Sequence, residues 1–590
     1  QTLGIHYGAT KFTLKYMARN EAIPAQNAIM GQKATNLMIV DSSQDGVDDA
    51  ESMMKHVMLD MKVPTTTVDL AKTDPADIPP LRQYRTVLIV MPRLNALEDK
   101  MVSIMKWVKA GGNMMLVMTP EKTGYLDAIG PQIGIESSSY DYVMTKGIKP
   151  SKGFMLGGGH TYILSSPFES SLSLNLNGKA IVAAVGANGH TPLIWSTNSG
   201  AGRTVTCNIG IYDKVVRGFY ASAFSLLGSA TAYPVINSAA FYLDDFPSPV
   251  PSGDGTYIKR DYGMNIADFY SKVWWPDLTK LAERYGIRFT GVMIENYGDD
   301  TKDAPVRQTD ESRFSYFGGL LLKQNGEIGY HGYNHQPLVL PNTDYGDEYA
   351  YHQWPNRKAI VASLRELIAF QKSVLPATTA SVYVPPSNIM SKEGRQVIGR
   401  DIPEIRAIAS TYLPSDSKLP YVQEFGVADD GIVEAPRIVS GGMVGNDYMR
   451  LAAESELNMH FVSTHFMHPD DMLDPDRGAK EGWAVYRKGL ENYLDWLEAS
   501  APSIRMQTGT ECASAVQRFS GLTVKMRESA NEWEFDLGNF KDQAWLLLRA
   551  NHGTPGRIQG GSMIRMTGNL YLIKATDSTV HVERKAGGAA

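Results

Sequence analysis

The sequence predicts an α/β protein with a central (β/α) barrel, complete or distorted, between two other domains. Apolar strand patterns alternate with helical patterns over about the first 120 residues and again between about 235 and 500. From about residue 519 the apolar residues recur at every second position instead. We therefore predict a layered α/β domain with a β-rich extension at 1–230, the barrel at 231–515 and a small β-sandwich at 516–590.

Composition is that of an ordinary globular protein. The 590 residues correspond to about three or four domains, and 43% of them are apolar and 20% charged. A formal net charge of −6 gives no overall basic surface, so no nucleic-acid partner is expected. No run of about eighteen apolar residues occurs, so no transmembrane segment is predicted.

The first residue and the cysteines bear on the compartment. The chain begins at Gln1 without a methionine or a leader, so we expect a processed form whose signal peptide has been removed, in a secreted or cell-surface location. The only cysteines, Cys207 and Cys512, are too few for a disulfide framework or a cysteine-based zinc ribbon. The oligomeric state is not predicted.

The front domain is predicted from three short apolar strands at 36–40, 86–91 and 113–118, separated by helical stretches. Apolar strands without alternation indicate a parallel sheet covered on both faces, as in flavodoxin-like or amidotransferase-like layered domains. The residues after the first strand, 41–46, contain no glycine-rich phosphate loop. We therefore expect a scaffolding or glycan-docking role for this domain. Short β runs with glycine and serine turns follow at about 151–210.

The barrel is predicted from repeated βα units. Strands are predicted at 235–243, 288–293, 327–331, 380–384 and 460–464. Helices are predicted at 275–285, 317–325, 360–368 and 481–498. In a (β/α) barrel the chemistry lies where strands end. An aspartate pair, a histidine pair, a Pro-Pro segment and a late histidine all fall at predicted strand ends.

Three residues at these strand ends are candidate metal ligands. Asp245 follows the first barrel strand, and His331 and His335 follow a later one. Imidazole nitrogen and carboxylate oxygen suit zinc and similar ions, and the i, i+4 spacing would let both rings point one way on a helical turn. We expect a divalent metal, with Zn²⁺ as the first choice and Co²⁺ or Ni²⁺ as alternatives. A hydrogen-bonded core pair or a polar surface pair is the alternative for two histidines alone.

The other polar residues at the strand ends suggest hydrolysis. Asp244 is placed to take a proton from a metal-activated water, and His465 is the candidate general acid for a leaving amine. His468 is the alternative acid, or a ring that orients it. Adjacent residues of a strand point to opposite faces, so Asp244 and Asp245 can serve one site only if the strand ends or twists there.

The ordered set of motifs resembles the polysaccharide deacetylases of carbohydrate esterase family four, the NodB-homology fold, over about residues 235–500. The set is a strand ending in Asp-Asp, then His-x-x-x-His, then a strand with Pro-Pro, then a strand ending in His. The resemblance implies that Asp244 is the base, that Asp245, His331 and His335 bind the metal, and that His465 is the acid. It further implies a substrate that carries an N-acetyl group.

The third motif departs from that family. Where the family has Arg-x-Pro-Tyr, this chain has Val-Pro-Pro-Ser-Asn at 384–388. The arginine that orients the base and the tyrosine whose backbone helps to hold the oxyanion are therefore missing. Ser387 or Asn388 would take over part of that work, and another cation would orient Asp244. Tyr333 and Glu424 are further candidates for contacts near the substrate.

The domain layout resembles a larger extracellular subgroup that includes deacetylases of galactosamine-containing biofilm polymers, such as Pel and galactosaminogalactan. We therefore predict a metal-dependent N-deacetylase of an amino-sugar polysaccharide of N-acetylgalactosamine or N-acetylglucosamine. The alternatives are a catalytically silent glycan-binding protein on the same fold, and a metal-dependent hydrolase of another ester or amide. A glycosidase would use two carboxylates about 5–10 Å apart and would leave the histidines without a role.

Overall fold

A computed structural model describes residues 2–7, 10–443 and 446–587 of the chain. The first part is a nine-stranded sheet in the order β4-β3-β5-β6-β11-β10-β9-β7-β8, with a separate hairpin of β1 and β2. Its elements are β1 Thr2–Tyr7, β2 Thr10–Lys15, α1 Ala25–Ile29, β3 Asn36–Val40, α2 Val47–Asp60, β4 Thr65–Asp69, β5 Thr86–Val90, α3 Lys100–Lys109, β6 Asn113–Leu116, α4 Gly124–Ile129, β7 Ile135–Pro150, β8 Tyr162–Leu176, β9 Ala180–Gly186, β10 Pro192–Ser199, β11 Gly202–Cys207 and α5 Arg217–Phe224.

The three strands predicted for the front domain are present as β3, β5 and β6. These strands pair in parallel with one another and with β4. All five residues of β3 and of β5 are buried, because helices cover both faces of the sheet and leave no face for polar side chains. Strands β7 to β11 extend the same sheet with mostly antiparallel pairs.

The middle of the chain alternates strands and helices, as its sequence pattern predicts. Its elements are β12 Ala230–Val235, β13 Ser238–Leu243, α6 Thr256–Tyr262, α7 Ile266–Phe269, α8 Trp275–Tyr285, β14 Phe289–Met293, α9 Ser312–Lys323, β15 Glu327–Tyr330, α10 Arg357–Val374, β16 Val382–Tyr383, α11 Lys392–Asp401, β17 Ala407–Ile408, β18 Gly426–Val427, β19 Val433–Glu434, β20 Val439–Ser440, α12 Asp447–Met459, β21 Val462–Met467, α13 Trp483–Ser500, β22 Met506–Gln507 and α14 Gly509–Gly521.

The sheet of this region is curled but not a regular closed barrel. Its order is β18-β19-β17-β16-β15-β14-β13-β21-β20, with β22 beside β13, and all these pairs are parallel except β18 with β19. Residues 433–440 connect the two ends of this order. They pair with β17 through β19 and then with β21 through β20. The predicted barrel is therefore distorted, because one bent segment replaces a continuous strand.

The C-terminal region contains two four-stranded antiparallel sheets, in the orders β12-β25-β28-β27 and β23-β24-β29-β26. Its strands are β23 Thr523–Glu528, β24 Glu532–Gly538, β25 Ala544–Ala550, β26 Thr554–Gln559, β27 Gly561–Thr567, β28 Leu570–Ala575 and β29 Thr579–Lys585. Trp533, Phe535, Leu546 and Leu548 are fully buried in the core of this region. Strand β12, which lies at the predicted 230/231 boundary, pairs with β25 of this region.

Parallel pairing sets the place of the functional residues. Leu243, the last residue of β13, pairs with Gly291 of β14 and Met467 of β21. Tyr330, the last residue of β15, pairs with Met293 and Tyr383. The carboxyl ends of these strands therefore lie at one edge of the sheet, as in other sheets of this kind. Within the described part of the chain, no helix is long and apolar enough to cross a membrane.

Candidate metal centre and active site

The aspartate pair lies just beyond β13, whose six residues are all buried. Asp244 is 1% exposed and its N–H donates to the Met467 carbonyl, 2.9 Å away, so it continues the pairing with β21. Asp245 has a left-handed backbone, with φ of +53°. This change of conformation removes the strand alternation, and both side chains line the same pocket. The strand therefore ends before Asp245, as is needed for both aspartates to serve one site.

The histidine pair follows β15 but does not lie on a helical turn, so that expectation was wrong. His331 continues the strand, with its N–H on the Met293 carbonyl at 2.9 Å. Gly332 and His335 have φ of +95° and +59°, and these left-handed residues form a turn instead of a helix. A Cβ at position 332 would lie 3.1 Å from Pro386. The turn nevertheless brings the two imidazole rings to a centroid distance of 4.8 Å.

The structure brings Asp245, His331 and His335 together into a cluster that we call the metal triad. Oδ1 of Asp245 lies 3.2 Å from Nε2 of His331 and 3.3 Å from Nε2 of His335. Ligand atoms of a tetrahedral site with bonds of ~2.0–2.1 Å are about 3.3 Å apart. The spacing in the triad therefore fits a zinc-like ion.

Hydrogen bonding supports the same assignment. Nδ1 of His331 lies 2.8 Å from the Val384 carbonyl, which can only accept, so Nδ1 carries a hydrogen and, in the neutral ring, Nε2 presents a lone pair. Oδ1 of Asp245 and Nε2 of His331 are both buried without a hydrogen-bond partner. Two acceptor atoms that face each other in a buried place are repulsive unless a cation lies between them. The donor set is therefore one that a divalent cation would satisfy.

The ionisation of the triad agrees with ligand chemistry. Burial opposes the charge of Asp245, but its interactions with His335 and His331 outweigh burial and lower the pKa of Asp245. Burial also lowers the pKa of His335 to about 4, against the attraction of Asp245. A carboxylate with neutral imidazoles is the form in which these side chains bind metals.

Asp244 is held by an arginine that the sequence motifs did not identify. Nη1 of Arg437 lies 2.5 Å from Oδ1 of Asp244, and both side chains are 1% exposed. Arg437 also donates to Oδ1 of Asn388 at 2.7 Å and to the Ser410 carbonyl at 3.2 Å, and it lies 4.0 Å from the Phe466 ring centre. Arg437 therefore supplies the cation that the third motif lacks. The usable signal was a strand-like Ile432-Val433 shortly before it, which makes Arg437 another polar residue beyond a strand end.

His468, rather than His465, faces the pocket. Nε2 of His468 lies 3.3 Å from Oδ2 of Asp244, and its Nδ1 lies 3.5 Å from Oδ1 of Asp471. Burial alone would lower the pKa of His468, but the hydrogen bond of Asp471 and the charge of Asp244 raise it to about 9. Asp471 also accepts from the hydroxyl of Tyr486 at 2.6 Å. His468 is therefore held as an imidazolium between two carboxylates.

His465 occupies a different environment, which departs from its predicted role as the acid. Its Nε2 donates to the Gly441 carbonyl at 2.7 Å, and its ring stacks on Tyr493. It is 1% exposed and is absent from the pocket wall. Burial lowers the pKa of His465 to about 4, so this ring is neutral near pH 7. Its one N–H hydrogen is used by the Gly441 carbonyl and does not face the pocket.

Of the other four candidate residues, two line the pocket and two do not. Ser387 and Asn388 both line the pocket. Tyr333 does not, because it is buried and its hydroxyl is bonded to the N–H and the carbonyl of Val306, each at 2.8 Å. Glu424 also lies outside the pocket wall, where Arg217 binds both of its carboxylate oxygens at 2.6 and 3.0 Å. These two placements correct the expectation that Tyr333 and Glu424 contact the substrate.

The pocket at this edge of the sheet has a volume of about 610 Å³. Its floor contains Asp244, Asp245, His335 and His468, and one wall contains Tyr349 and Tyr351, whose rings stack at 5.6 Å. The opposite wall is polar and is formed by residues 440–443 and 470–486, of which Asp470, Asp471, Asp476, Arg477 and Glu481 are charged. The pocket can hold a polar ligand much larger than one acetyl group.

One family model matches most of the chain, over residues 14–169 and 160–572. The family is described as "Uncharacterised protein conserved in bacteria (DUF2194)". No curated protein matches the sequence.

Several solved structures are similar to parts of the chain at low identity. A protein of Mycobacterium smegmatis described as a candidate polysaccharide deacetylase is 16% identical, with a TM-score of 0.31, and the match covers 50% of this chain and 95% of that one. A mutant of BA3943, described as a CE4 family pseudoenzyme with restored enzymatic activity, is 12% identical, with a TM-score of 0.26 and coverage of 48% and 69%.

A third similar structure is the exo-beta-1,4-mannosidase Op5Man5 from Opitutaceae bacterium strain TAV5. It is 13% identical, with a TM-score of 0.23, and the match covers 33% of each chain. This chain therefore spans one third of the length of the mannosidase. At these scores the similarities carry no argument about function, which has to come from the residues of the site.

Proposed function

Because this chain belongs to the bacterial family DUF2194, whose description assigns no activity, we propose its function from its site: a metal-dependent N-deacetylase of an amino-sugar polysaccharide. One observation carries the proposal. Two buried acceptor atoms, Oδ1 of Asp245 and Nε2 of His331, face each other without a hydrogen bond, directly beside a carboxylate paired with arginine. Such an arrangement suits a bound cation and a general base, and it has no evident use in folding alone.

The metal triad would hold the cation, for which we propose Zn²⁺. A cation bound there would polarise an acetamide carbonyl and make a water molecule acidic near neutral pH. Asp244 is next to the triad in sequence and lines the same pocket, so it is our general base. Its Oδ1 is taken by Arg437 and its Oδ2 faces His468, so Oδ2 is the oxygen that would receive the proton.

Arg437 positions this base. Its guanidinium contacts Asp244, Asn388 and the Ser410 carbonyl, so its orientation is fixed by three elements of the fold. A buried guanidinium holds a neighbouring carboxylate in one orientation. We therefore assign to Arg437 the role that the missing arginine of the third motif has in the resembling family.

His468 is our proton donor to the leaving amine. An amide nitrogen leaves only after it is protonated, which requires an acid with a proton at the working pH. Asp471 and Asp244 raise the pKa of His468 to about 9, so the ring is an imidazolium near pH 7. Asp244 takes one proton from water and His468 gives one to the amine, so the products are acetic acid and the amine, which ionise to acetate and ammonium. The proton on Asp244 would then return to His468, 3.3 Å away.

The substrate class rests on the resemblance and on the shape of the site. The pocket is open, about 610 Å³ in volume and lined on one side by two stacked tyrosine rings, which suits a sugar chain. We propose an N-acetylgalactosamine or N-acetylglucosamine polymer. Products other than acetate from such polymers would favour a hydrolase of another ester or amide on the same metal centre.

The first experiment measures bound metal and acetate release together. The parent and the variants Asp245→Ala and His331→Ala are purified, their metal content is quantified, and each is assayed on partly acetylated galactosamine and glucosamine oligomers. We expect about one zinc-like ion and acetate release in the parent only. The exposed residues His190 and Asp299 provide the matched controls His190→Ala and Asp299→Ala, which should retain both properties.

Two results would contradict the proposal. A parent protein that binds no metal after supplementation with Zn²⁺, Co²⁺ or Ni²⁺ would exclude the metal centre. A parent that binds metal and these oligomers without releasing acetate would instead be a glycan-binding protein on the same fold.

A further inference from the structure

We propose that Tyr351, Ser387 and Asn388 direct two side-chain hydrogen-bond donors into the pocket, where they bind the carbonyl oxygen of the acetyl group. We call these three residues the donor chain. All three line the pocket beside the metal triad. This inference rests on the proposed function and extends it, because it names what replaces the missing tyrosine of the third motif.

The first donor follows from the tautomer of His335. Its Nε2 faces Asp245, so for Nε2 to present a lone pair to a cation the hydrogen must be on Nδ1. Nδ1 lies 3.4 Å from the hydroxyl oxygen of Tyr351, which accepts that hydrogen. The Tyr351 hydroxyl then donates to the oxygen of Ser387, 2.5 Å away. The hydrogen of Ser387 is left to point away from Tyr351, toward a ligand in the pocket.

The second donor follows from the contact between Asn388 and Arg437. A guanidinium has only donors, so the side-chain atom of Asn388 that lies 2.7 Å from Arg437 must be the amide oxygen. The amide NH₂ group is therefore turned away from Arg437. Since the same guanidinium binds Asp244, one buried arginine fixes both the base and this donor.

The backbone of this segment is strained in a way that suits a binding role. Ser387 and Asn388 have left-handed φ angles of +51° and +57° in succession. Residues other than glycine adopt this conformation at a cost in free energy, and such strain clusters at ligand sites. Hydrogen bonds hold it in place: Asn388 N–H donates to Pro385 at 2.9 Å, and Tyr421 N–H donates to the Asn388 carbonyl at 2.7 Å.

The donors would act where negative charge develops. Attack of water on the acetyl group moves an electron pair onto the carbonyl oxygen, and preformed donors stabilise that charge more than they stabilise the neutral amide. Ser387 and Asn388 form no covalent bond in this step and keep their protons. Tyr351 does not touch the substrate through its hydroxyl; it is a positioning residue for His335 and Ser387.

The test uses four variants of the full chain: Ser387→Ala, Asn388→Asp, Tyr351→Phe, and the double variant Tyr351→Phe with Ser387→Ala. Asn388→Asp keeps an oxygen toward Arg437 and replaces the NH₂ donor by a second carboxylate oxygen, which also adds a negative charge. Tyr316→Phe, on an exposed tyrosine of α9, and Ser373→Ala, on α10, are the matched controls. Acetate release is measured at saturating Zn²⁺, and Zn²⁺ affinity is measured separately by calorimetry.

We expect Ser387→Ala and Asn388→Asp each to lower kcat about 10²-fold with little change in KM. Tyr351→Phe should lower kcat and also weaken Zn²⁺ affinity about tenfold, because it removes the acceptor of His335, whereas Ser387→Ala should leave Zn²⁺ affinity unchanged. In the double variant the effects on kcat should not multiply, since both changes break the same chain.

Full kcat in Ser387→Ala, multiplicative effects in the double variant, or unchanged Zn²⁺ affinity in Tyr351→Phe would each overturn the donor chain. These results would leave the deacetylase proposal intact, since the parent would still release acetate. A parent that releases no acetate would reject both proposals at once.

Discussion

Two buried clusters of histidine and carboxylate in this protein have opposite electrostatics. One is the metal triad. The other, which we call the interface cluster, consists of Asp60 of the front region with Glu456 and His460 at the end of α12. The side chains of the interface cluster are at most 4% exposed. The residue types are the same as in the triad, but the hydrogen bonds are not.

In the interface cluster both ring nitrogens of His460 face a carboxylate. Nε2 lies 2.7 Å from Asp60, and Nδ1 contacts Glu456, which also accepts from the Tyr412 hydroxyl at 2.5 Å. Burial would lower the pKa of His460, but Glu456 and Asp60 raise it to about 10. The histidine is therefore itself the cation, and the cluster is complete without a ligand.

The metal triad has two imidazole rings for one carboxylate, whereas the interface cluster has one ring for two carboxylates. Both rings of the triad face the same carboxylate oxygen. Nδ1 of His331 is used by the Val384 carbonyl, and the pKa of His335 falls to about 4 because it is buried. The His335 ring is therefore neutral near neutral pH. A histidine whose two ring nitrogens both face carboxylates is an ion-pair histidine. A histidine with one nitrogen bonded to a neutral acceptor can bind a metal through the other nitrogen. In these two clusters the hydrogen-bond partners distinguish the two cases, and residue type and burial do not.

Removal of the metal tests most strongly whether the triad, and not the interface cluster, binds a cation. A chelator should reduce acetate release to background in the parent, and Zn²⁺ should restore it. Zn²⁺ at about 100 times its Kd should also stabilise the fold by about 2.7 kcal/mol, because it binds only the folded state. The thermal midpoint should rise with Zn²⁺ in the parent and in His460→Gln, but not in Asp245→Ala. A Zn²⁺-dependent rise in Asp245→Ala would place the metal elsewhere.

Asp244→Asn tests whether the base is separable from the metal triad. The change keeps the shape and an oxygen for Arg437 but removes the proton acceptor. We expect acetate release to fall about 10²- to 10⁴-fold, with metal content unchanged. Asp299→Asn, at an exposed aspartate, is the control for the substitution. Loss of the metal together with activity would make Asp244 a ligand instead of a base.

His460→Gln tests the interface cluster. The substitution removes the cation between Glu456 and Asp60 and leaves Asp60 with only His56, 3.2 Å away, so we expect a loss of about 3–5 kcal/mol in unfolding free energy, with metal content retained. His190→Gln, at an exposed histidine, should have no such effect.

The pH dependence of the unfolding free energy tests whether His460 is charged. A histidine whose folded pKa is raised stabilises fully below its unfolded pKa of about 6.5 and loses that stabilisation as pH rises toward about 10. The parent should therefore lose stability over this range and His460→Gln should lose less. Equal slopes in urea unfolding between pH 6.5 and 10 would show that His460 is not charged.

The sequence predicted the strands of the site and most of its residues, for a physical reason. Parallel strands carry continuous apolar runs, and polar residues just after them must lie at one sheet edge, so Asp244, Asp245 and His331 could be located. Arg437 was not located, because its only signal was the short apolar pair before it, and a two-residue strand has no periodicity of its own. Glu424 and Tyr333 lie outside the pocket because their side chains are bonded elsewhere, to Arg217 and to Val306, and these long-range partners cannot be read from the sequence.

The choice between His465 and His468 shows the same limit. His465 lies within β21 and His468 directly follows it, and only the structure shows that His465 bonds to Gly441 while His468 faces Asp244 and Asp471. The prediction of a helical turn at the histidine pair was wrong because Gly332 and His335 have left-handed backbone conformations. Spacing alone cannot distinguish that turn from a helix.

The smallest expected effect is a shift in the pH profile, and it bears on the third histidine environment of this protein. His468 lies between two carboxylates, as His460 does, but it faces the pocket. Asp471→Asn removes the contact that most raises the pKa of His468, so that pKa should fall. A general acid must be protonated, so the alkaline limb of kcat should move to lower pH while the acid limb and the metal content stay unchanged. An unmoved alkaline limb would mean that His468 only orients Asp244, and that the proton reaches the amine from water.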